Sequence, residues 1–258
     1  MEFLLVRIIV GVFIFILGAV IGSFSNVLIY RLPAEMSIVK PGSHCFNCNE
    51  PIKWYDNIPI ISWLVLGGKC RHCKAKISPQ YFIVELFTAL MYLLTYLYFG
   101  LSVSTFLICL IISCLIVLSL IDYKEFIIPD SMVIGIALFA IPMFFLPEQL
   151  MASLWYEKLL GLGFILIVYL VILIFTQIRK KELMGLGDIK LLLAMSLVVS
   201  YKLMFLVLLF GSLLALLVEV IIKRKKHAVI PFGPYLSMAF LIVMFFGNKI
   251  LEFYLSLF

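Results

Sequence analysis

Two groups of residues in this chain have types and spacings suited to chemistry. The first is Cys45-Phe-Asn-Cys48, followed after 21 residues by Cys70-Arg-His-Cys73. Two C-x-x-C knuckles brought together present four thiolates in a tetrahedron, which is the geometry zinc takes in closed structural sites. Such a site keeps no open position for water, so the expected role of Cys45, Cys48, Cys70 and Cys73 is structural. The second group is a pair of aspartates. Asp122 ends a long apolar run, and Asp188 closes Gly185-Leu-Gly187-Asp188 just before another. Two carboxylates that share a proton can hold a water between them, one acting as base while the other, protonated, polarises a scissile carbonyl. Gly185 and Gly187 would allow the close approach and unusual backbone that a loop delivering Asp188 to Asp122 needs.

The composition says what must position these groups. Hydrophobic residues make up 65% of the 258 and charged residues 13%. Soluble domains carry about 45–50% apolar and about 25% charged residues, so the chain reads as an all-α membrane protein. About eight transmembrane helices are expected, over Ile8–Tyr30, Tyr81–Phe99, Val103–Ile121, Ser131–Leu146, Leu159–Ile178, Ile189–Ser200, Leu203–Ile222 and Pro234–Leu255. The fourth and sixth are short and are expected to extend further or to lean on protein instead of lipid. The first apolar stretch exceeds the core of a cleavable signal and is read as a retained span. Residues 1–30 then form the first span, 31–80 a small insert, and 81–258 a polytopic domain carrying the aspartates.

Lysine and arginine set the orientation. With the amino terminus outside, segments 31–80, 122–130, 178–190 and 223–227 face the cytosol and hold sixteen of the twenty Lys/Arg residues, the bias that the positive-inside rule predicts. The net charge of +6 is thereby used by topology, and no nucleic-acid partner is expected. Lys223-Arg-Lys-Lys226 reads as a topology anchor. Segment 122–130 is the acidic exception, and both aspartates fall at the cytosolic membrane edge, where ionisable groups are functional by default. The same placement puts the four cysteines in a reducing compartment, which disfavours disulfides. The insert has few aliphatic residues and several prolines, and domains of this size need a metal or disulfides to hold together.

Other polar residues carry plainer expectations. Lys190 either supports the charged pair or snorkels to the interface, Asp130 caps a helix start, and Glu85 and Glu219 pair with nearby Lys or Arg. Cys109 and Cys114 are small buried hydrophobes. A carboxylate-bearing transporter is the competing class, although no paired halves or interrupted midplane helices are evident.

Taken jointly, the motifs resemble the bacterial type IV prepilin peptidases, leader peptidases that are also N-methyltransferases. The resemblance rests on Gly22-Ser-Phe-Ser-Asn-Val27, Tyr30-Arg-Leu-Pro33, the paired knuckles with Trp54-Tyr-Asp-Asn-Ile-Pro59 between them, and Tyr81 with Val84-Glu85-Leu86. It continues through Ile121-Asp122, Ile128-Pro-Asp130, Gly185-Leu-Gly-Asp-Ile-Lys-Leu191 and Ile230-Pro-Phe-Gly-Pro234. Phe46 and Leu186 depart from the residues common there without removing a reacting group. The resemblance implies a catalytic pair at Asp122 and Asp188 and a zinc-binding cytosolic insert. Prepilin or pseudopilin substrates would be cut after glycine at the cytosolic face of the bacterial inner membrane. S-adenosylmethionine would donate a methyl group to the new amino terminus. No glycine fingerprint marks a pocket for that donor. A Gly-x-Gly-Asp intramembrane protease of other specificity is the enzymatic alternative, and the cysteine insert argues against it.

Overall fold

A computed structural model describes residues 2–146, 155–180, 184–222 and 230–256. Nine α-helices occur among the described residues: α1 Glu2–Arg31, α2 Ile61–Val65, α3 Pro79–Phe99, α4 Val103–Glu125, α5 Asp130–Ala140, α6 Trp155–Arg179, α7 Leu186–Ser196, α8 Tyr201–Ile222 and α9 Gly233–Leu255. No strand occurs among them. Six of these helices are long and apolar enough to cross a membrane: α1, α3, α4, α6, α8 and α9. The chain divides into two compact units, residues 1–105 and 106–258.

The first unit contains α1, the cysteine insert, α2 and α3. Lipid supplies no hydrophobic drive between helices, so close approach relies on small residues. Gly18 and Gly22 provide it one turn apart. A Cβ on Gly18 would lie 2.8 Å from the Cα of Ala89, and one on Gly22 would lie 2.8 Å from the Cα of Glu85. Helices α1 and α3 therefore meet backbone to backbone and run antiparallel. Asn26 closes the same seam, its side-chain amide donating to the Tyr81 carbonyl at 3.1 Å.

The insert is fastened to these helices by a few specific contacts. Arg31 is buried and donates to the carbonyls of Ser37 at 2.8 Å and Pro41 at 2.6 Å. Trp63 of α2 stacks on Phe82 of α3 with ring centroids 5.1 Å apart. Gly68 must be glycine for two reasons: its φ is +64°, and a Cβ would strike the Trp63 ring at 2.8 Å.

In the second unit the helices alternate in direction. Gly135 of α5 packs against Cys114 of α4, Gly161 near the start of α6 meets Ser196 and Tyr201, and Gly247 late in α9 meets Leu203 early in α8. The end of α4 and the starts of α5, α7 and α9 consequently lie together. Helix α4 is apolar all round, with Ile108, Ile111, Ile112, Leu115 and Leu118 buried, as a core helix should be. Cys109 and Cys114 are buried on it as expected.

The two short expected spans form 11-residue helices, α5 and α7, each about 16 Å long against a hydrocarbon core of about 30 Å. A 3-10 turn over Ile141–Phe144, beginning Ile-Pro, ends α5. Helix α7 does lean on protein: Ile189, Leu191, Leu192, Ala194 and Met195 are all buried.

The glycine seam yields a direct test. Gly18→Ala should lower the melting temperature of detergent-purified protein, through the loss of roughly 1–3 kcal/mol of stability typical of overpacking. Gly11→Ala should leave it unchanged, because a Cβ there meets side chains only at 3.4 Å or beyond. Equal melting temperatures for the two variants would contradict the close α1–α3 contact.

Candidate active site and metal centre

Asp122 sits in the last turn of α4 and is 5% exposed. The chain turns sharply after it: Phe126 donates its N–H to the Asp122 carbonyl at 2.9 Å and takes a φ of +57°. This brings Ile128 back beneath the aspartate. Asp188 arrives from a different direction. Gly185 is the N-cap of α7, so Asp188 is the third helical residue, and its Oδ2 lies 3.1 Å from where a Cβ on Gly185 would stand. That third position is the one the carboxylate of a capping box takes. The half-buried side chain is thus fixed by the start of its own helix.

Ile128 links the two carboxylates. A Cβ on Gly187 would lie 3.0 Å from the Cβ of Ile128, and a Cβ on Gly233 would lie 3.4 Å from its Cδ1. Gly233, the first residue of α9, donates its N–H to Asp122 Oδ2 at 2.8 Å. The structure therefore brings Asp122 and the start of α7 that carries Asp188 against the same residue, Ile128, across 66 positions of sequence. Each faces a helix amino terminus, where unpaired N–H groups and the helix dipole favour negative charge.

Gly185 and Gly187 meet the close-approach half of the sequence expectation and not the unusual-backbone half. Neither has a left-handed backbone, and Gly185 has φ −67° and ψ 143°. Their contribution is space, for the Asp188 carboxylate beside Gly185 and for Ile128 beside Gly187. Lys190 places its ammonium 2.8 Å from Asp130 Oδ1, joining the starts of α7 and α5 at an exposed position. Asp130 lies in the first turn of α5, with Pro129 as the N-cap, and its partner is Lys190 instead of the helix start. Gly233 was not singled out in the sequence as part of the site. The signal was the Phe-Gly-Pro turn, but nothing in it names an aspartate 111 positions earlier.

The four insert cysteines also converge. Their Sγ atoms all lie within 4.8 Å of one another, with Cys45 and Cys73 at 3.8 Å. Tetrahedral zinc with Zn–S bonds of about 2.3 Å requires sulfurs about 3.8 Å apart, so the donor set fits that metal. The two knuckles repeat one another. Cys45 and Cys70 take N–H bonds on their carbonyls from Asn49 and Lys74, residues with φ of +56° and +58°. In return, Cys45 and Cys70 donate to the carbonyls of Glu50 and Ala75. The N–H of Ala75 and then the Asn47 side chain hold the Cys73 thiol down at about 6, and the N–H groups of Cys48 and Asn47 lower that of Cys45. Such bonds favour the thiolate that a metal takes. Between the knuckles, Asp56 accepts two hydrogen bonds from Arg71, from Nε at 2.7 Å and from Nη2 at 2.5 Å. That guanidinium holds the Asp56 carboxyl below its ordinary range.

Glu85 departs from expectation. It has no Lys or Arg partner among the described residues; its carboxylate instead accepts the N–H of Ile60 at 2.7 Å. Glu219 and the Lys223–Lys226 anchor lie outside the residues described at side-chain level.

Comparison with known proteins gives the family. Residues 16–99 match the bacterial peptidase A24 N-terminal domain, and residues 109–220 match the type IV leader peptidase family. The chain belongs to the type IV leader peptidase family. It is 34% identical to the prepilin leader peptidase/N-methyltransferase of Pseudomonas aeruginosa, over 93% of this chain and 92% of that one. It is 33% identical to the Vibrio cholerae protein of the same name, over 89% and 94%. No solved structure matches. Membership of a peptidase family sets aside the transporter reading.

The metal centre predicts that the purified protein holds about one zinc per chain. Cys45→Ser and Cys70→Ser should each release most of it and open the insert to limited proteolysis. A metal-free protein whose insert still resists protease would contradict the zinc reading.

Proposed function

We propose that this family member cleaves the leader peptide of prepilin or pseudopilin substrates, with Asp122 and Asp188 as the catalytic pair, and then methylates the freed amino terminus. The observation that carries the first half is the convergence of two carboxylates, from separate helices, on one small region bounded by Ile128 and Gly233. One aspartate, ionised, takes a proton from a water held between them. The other, protonated, donates a hydrogen bond to the scissile carbonyl and polarises it. The water oxygen bonds to the carbonyl carbon, and the peptide nitrogen leaves as an amine after taking up a proton. Gly185, Gly187 and the Gly233 N–H are positioning elements for the pair.

Eight membrane passages suit the alternating helix directions of the second unit, with the short α5 and α7 making up their length through neighbouring chain and protein contacts. The lysine and arginine bias then places the amino terminus outside and the aspartates at the cytosolic face of the bacterial inner membrane. In this reading residues 1–30 are the first span, 31–80 the cytosolic insert and 81–258 the peptidase region. Zinc, held by Cys45, Cys48, Cys70 and Cys73, supplies a cross-link that lets so small an insert keep a fixed shape.

S-adenosylmethionine is the donor in the methyl-transfer half of the proposal. The support is the N-methyltransferase name of the relatives, together with the separation of dyad and insert into different compact units. Cleavage must come first, because only a free amino group accepts a methyl.

One assay tests both halves. Asp122→Asn and Asp188→Asn should each abolish cleavage of full-length prepilin while the protein still inserts, and the double variant should be no worse than either single, as for groups acting as a unit. Gly233→Ala should impair cleavage strongly, since its Cβ would meet Asp122 Oδ2 at 2.8 Å. Asp122→Asn should still methylate a synthetic peptide supplied already cut. Normal turnover by either asparagine variant would overturn the dyad. Failure of wild type to methylate the pre-cut peptide would leave the peptidase alone.

A further inference from the structure

The first unit holds a buried carboxylate that the cleavage chemistry does not use. Glu85 is 7% exposed and lies six residues, or about 9 Å, into the membrane-length helix α3. An ionised carboxylate at such a position is costly unless it is paired, and no cation pairs with it among the described residues. The contact it does make is neutral, a hydrogen bond accepted from the Ile60 N–H at 2.7 Å.

A second polar atom nearby lacks a partner. Asn26 is 3% exposed, and its amide nitrogen is used by the carbonyls of Tyr81 and Gly22, but its Oδ1 accepts nothing. Tyr81 precedes Glu85 by one helical turn, and Gly22, one turn before Asn26, lies directly against the Glu85 backbone. The orphan oxygen and the uncompensated carboxylate thus occupy adjacent turns of the same α1–α3 seam. Buried acceptors without donors are rare and call for an explanation.

The backbone there is also held in an unusual state. Ile60 has φ +66° and ψ −54°, a conformation a β-branched residue avoids. Outliers of this kind cost about 1–3 kcal/mol and persist where surrounding contacts enforce them. The Glu85 bond to the Ile60 N–H is such a contact. One carboxamide oxygen without a donor, and a carboxylate held by a neutral N–H and no cation, stand on adjacent turns of one helix seam, and acceptors of this kind suit the N–H donors of a primary ammonium.

We propose that Glu85 and Asn26 form the site that receives the amino-terminal ammonium of the cut substrate, the methyl acceptor. The inference rests on the methyl-transfer reading above and adds to it a location and a recognition chemistry. An amino terminus that begins a hydrophobic helix lies at the membrane edge, as Glu85 does in the topology proposed here, and a charged terminus entering this seam neutralises the carboxylate. A mid-chain lysine offers the same ammonium, so the test separates the two.

The probe is a synthetic helical peptide, labelled at its far end and binding full-length protein in nanodiscs without any methyl donor. Three versions are compared by fluorescence anisotropy: free amino terminus, acetylated terminus, and acetylated terminus with one added lysine. Wild type should bind the free-amine peptide at least tenfold more tightly than either acetylated version. Glu85→Gln keeps the size of the side chain and an oxygen for the Ile60 N–H, so a purely structural clamp survives it, as zinc content and protease resistance of the insert would report. The free-amine preference should nevertheless fall to within about twofold. Retention of the preference in Glu85→Gln, absence of it in wild type, or equal binding of the lysine peptide would each overturn the proposal. A wild-type preference without any methylation of the pre-cut peptide would sink the methyl-transfer reading and leave the ammonium site standing.

Discussion

The arrangement depends on holding two carboxylates in a place that disfavours charge. At a membrane edge an aspartate loses much of its hydration, and the protein must replace it with fixed donors or let the group become neutral. Here the replacements are helix amino termini. The Gly233 N–H at the start of α9 reaches Asp122, and Asp188 lies in the first turn of α7 with its carboxylate beside Gly185. That solution dictates much of the second unit. The end of α4 and the starts of α7 and α9 must meet, so the intervening helices have to alternate in direction, and glycines must stand where any side chain would displace a carboxylate.

The cysteine insert answers a different constraint. It carries too little apolar surface to fold by burial, and it substitutes a few directional interactions. Two knuckles with the same backbone hydrogen bonds present four sulfurs within one metal's reach, the Asp56–Arg71 pair ties the intervening segment to the second knuckle, and Arg31, Trp63 and Glu85 fasten the whole to α1 and α3. Losing any one of these leaves little core to compensate, which is why metal occupancy and protease resistance of the insert should change together.

Legibility in the sequence followed the range of the interaction. The knuckles were readable because both cysteines of each pair lie within one tight turn, so their spacing alone encodes the geometry. Lys190 and Asp130 were harder. Each was given a local role, as dyad support or snorkelling cation and as helix cap, yet they pair with one another across 60 positions. Glu85 was expected to find a cation and instead holds a backbone N–H of the insert. The glycines before Asp188 were expected to allow close approach and unusual dihedrals, and they supply the close approach with an ordinary backbone.

What the sequence determined by itself was the all-helical membrane character, the four cysteines that gather into one cluster and the two aspartates at apolar-run boundaries, because hydropathy and knuckle spacing are local quantities. The tertiary structure alone decided which backbone donor serves Asp122, which residue bridges the pair, and how short α5 and α7 would be. It also left Asn26 Oδ1 without a donor beside an uncompensated Glu85. Those outcomes depend on which helix turns face each other across a seam. That choice is made by the packing of glycines and isoleucines distant in the chain, through contacts that no spacing in the sequence encodes.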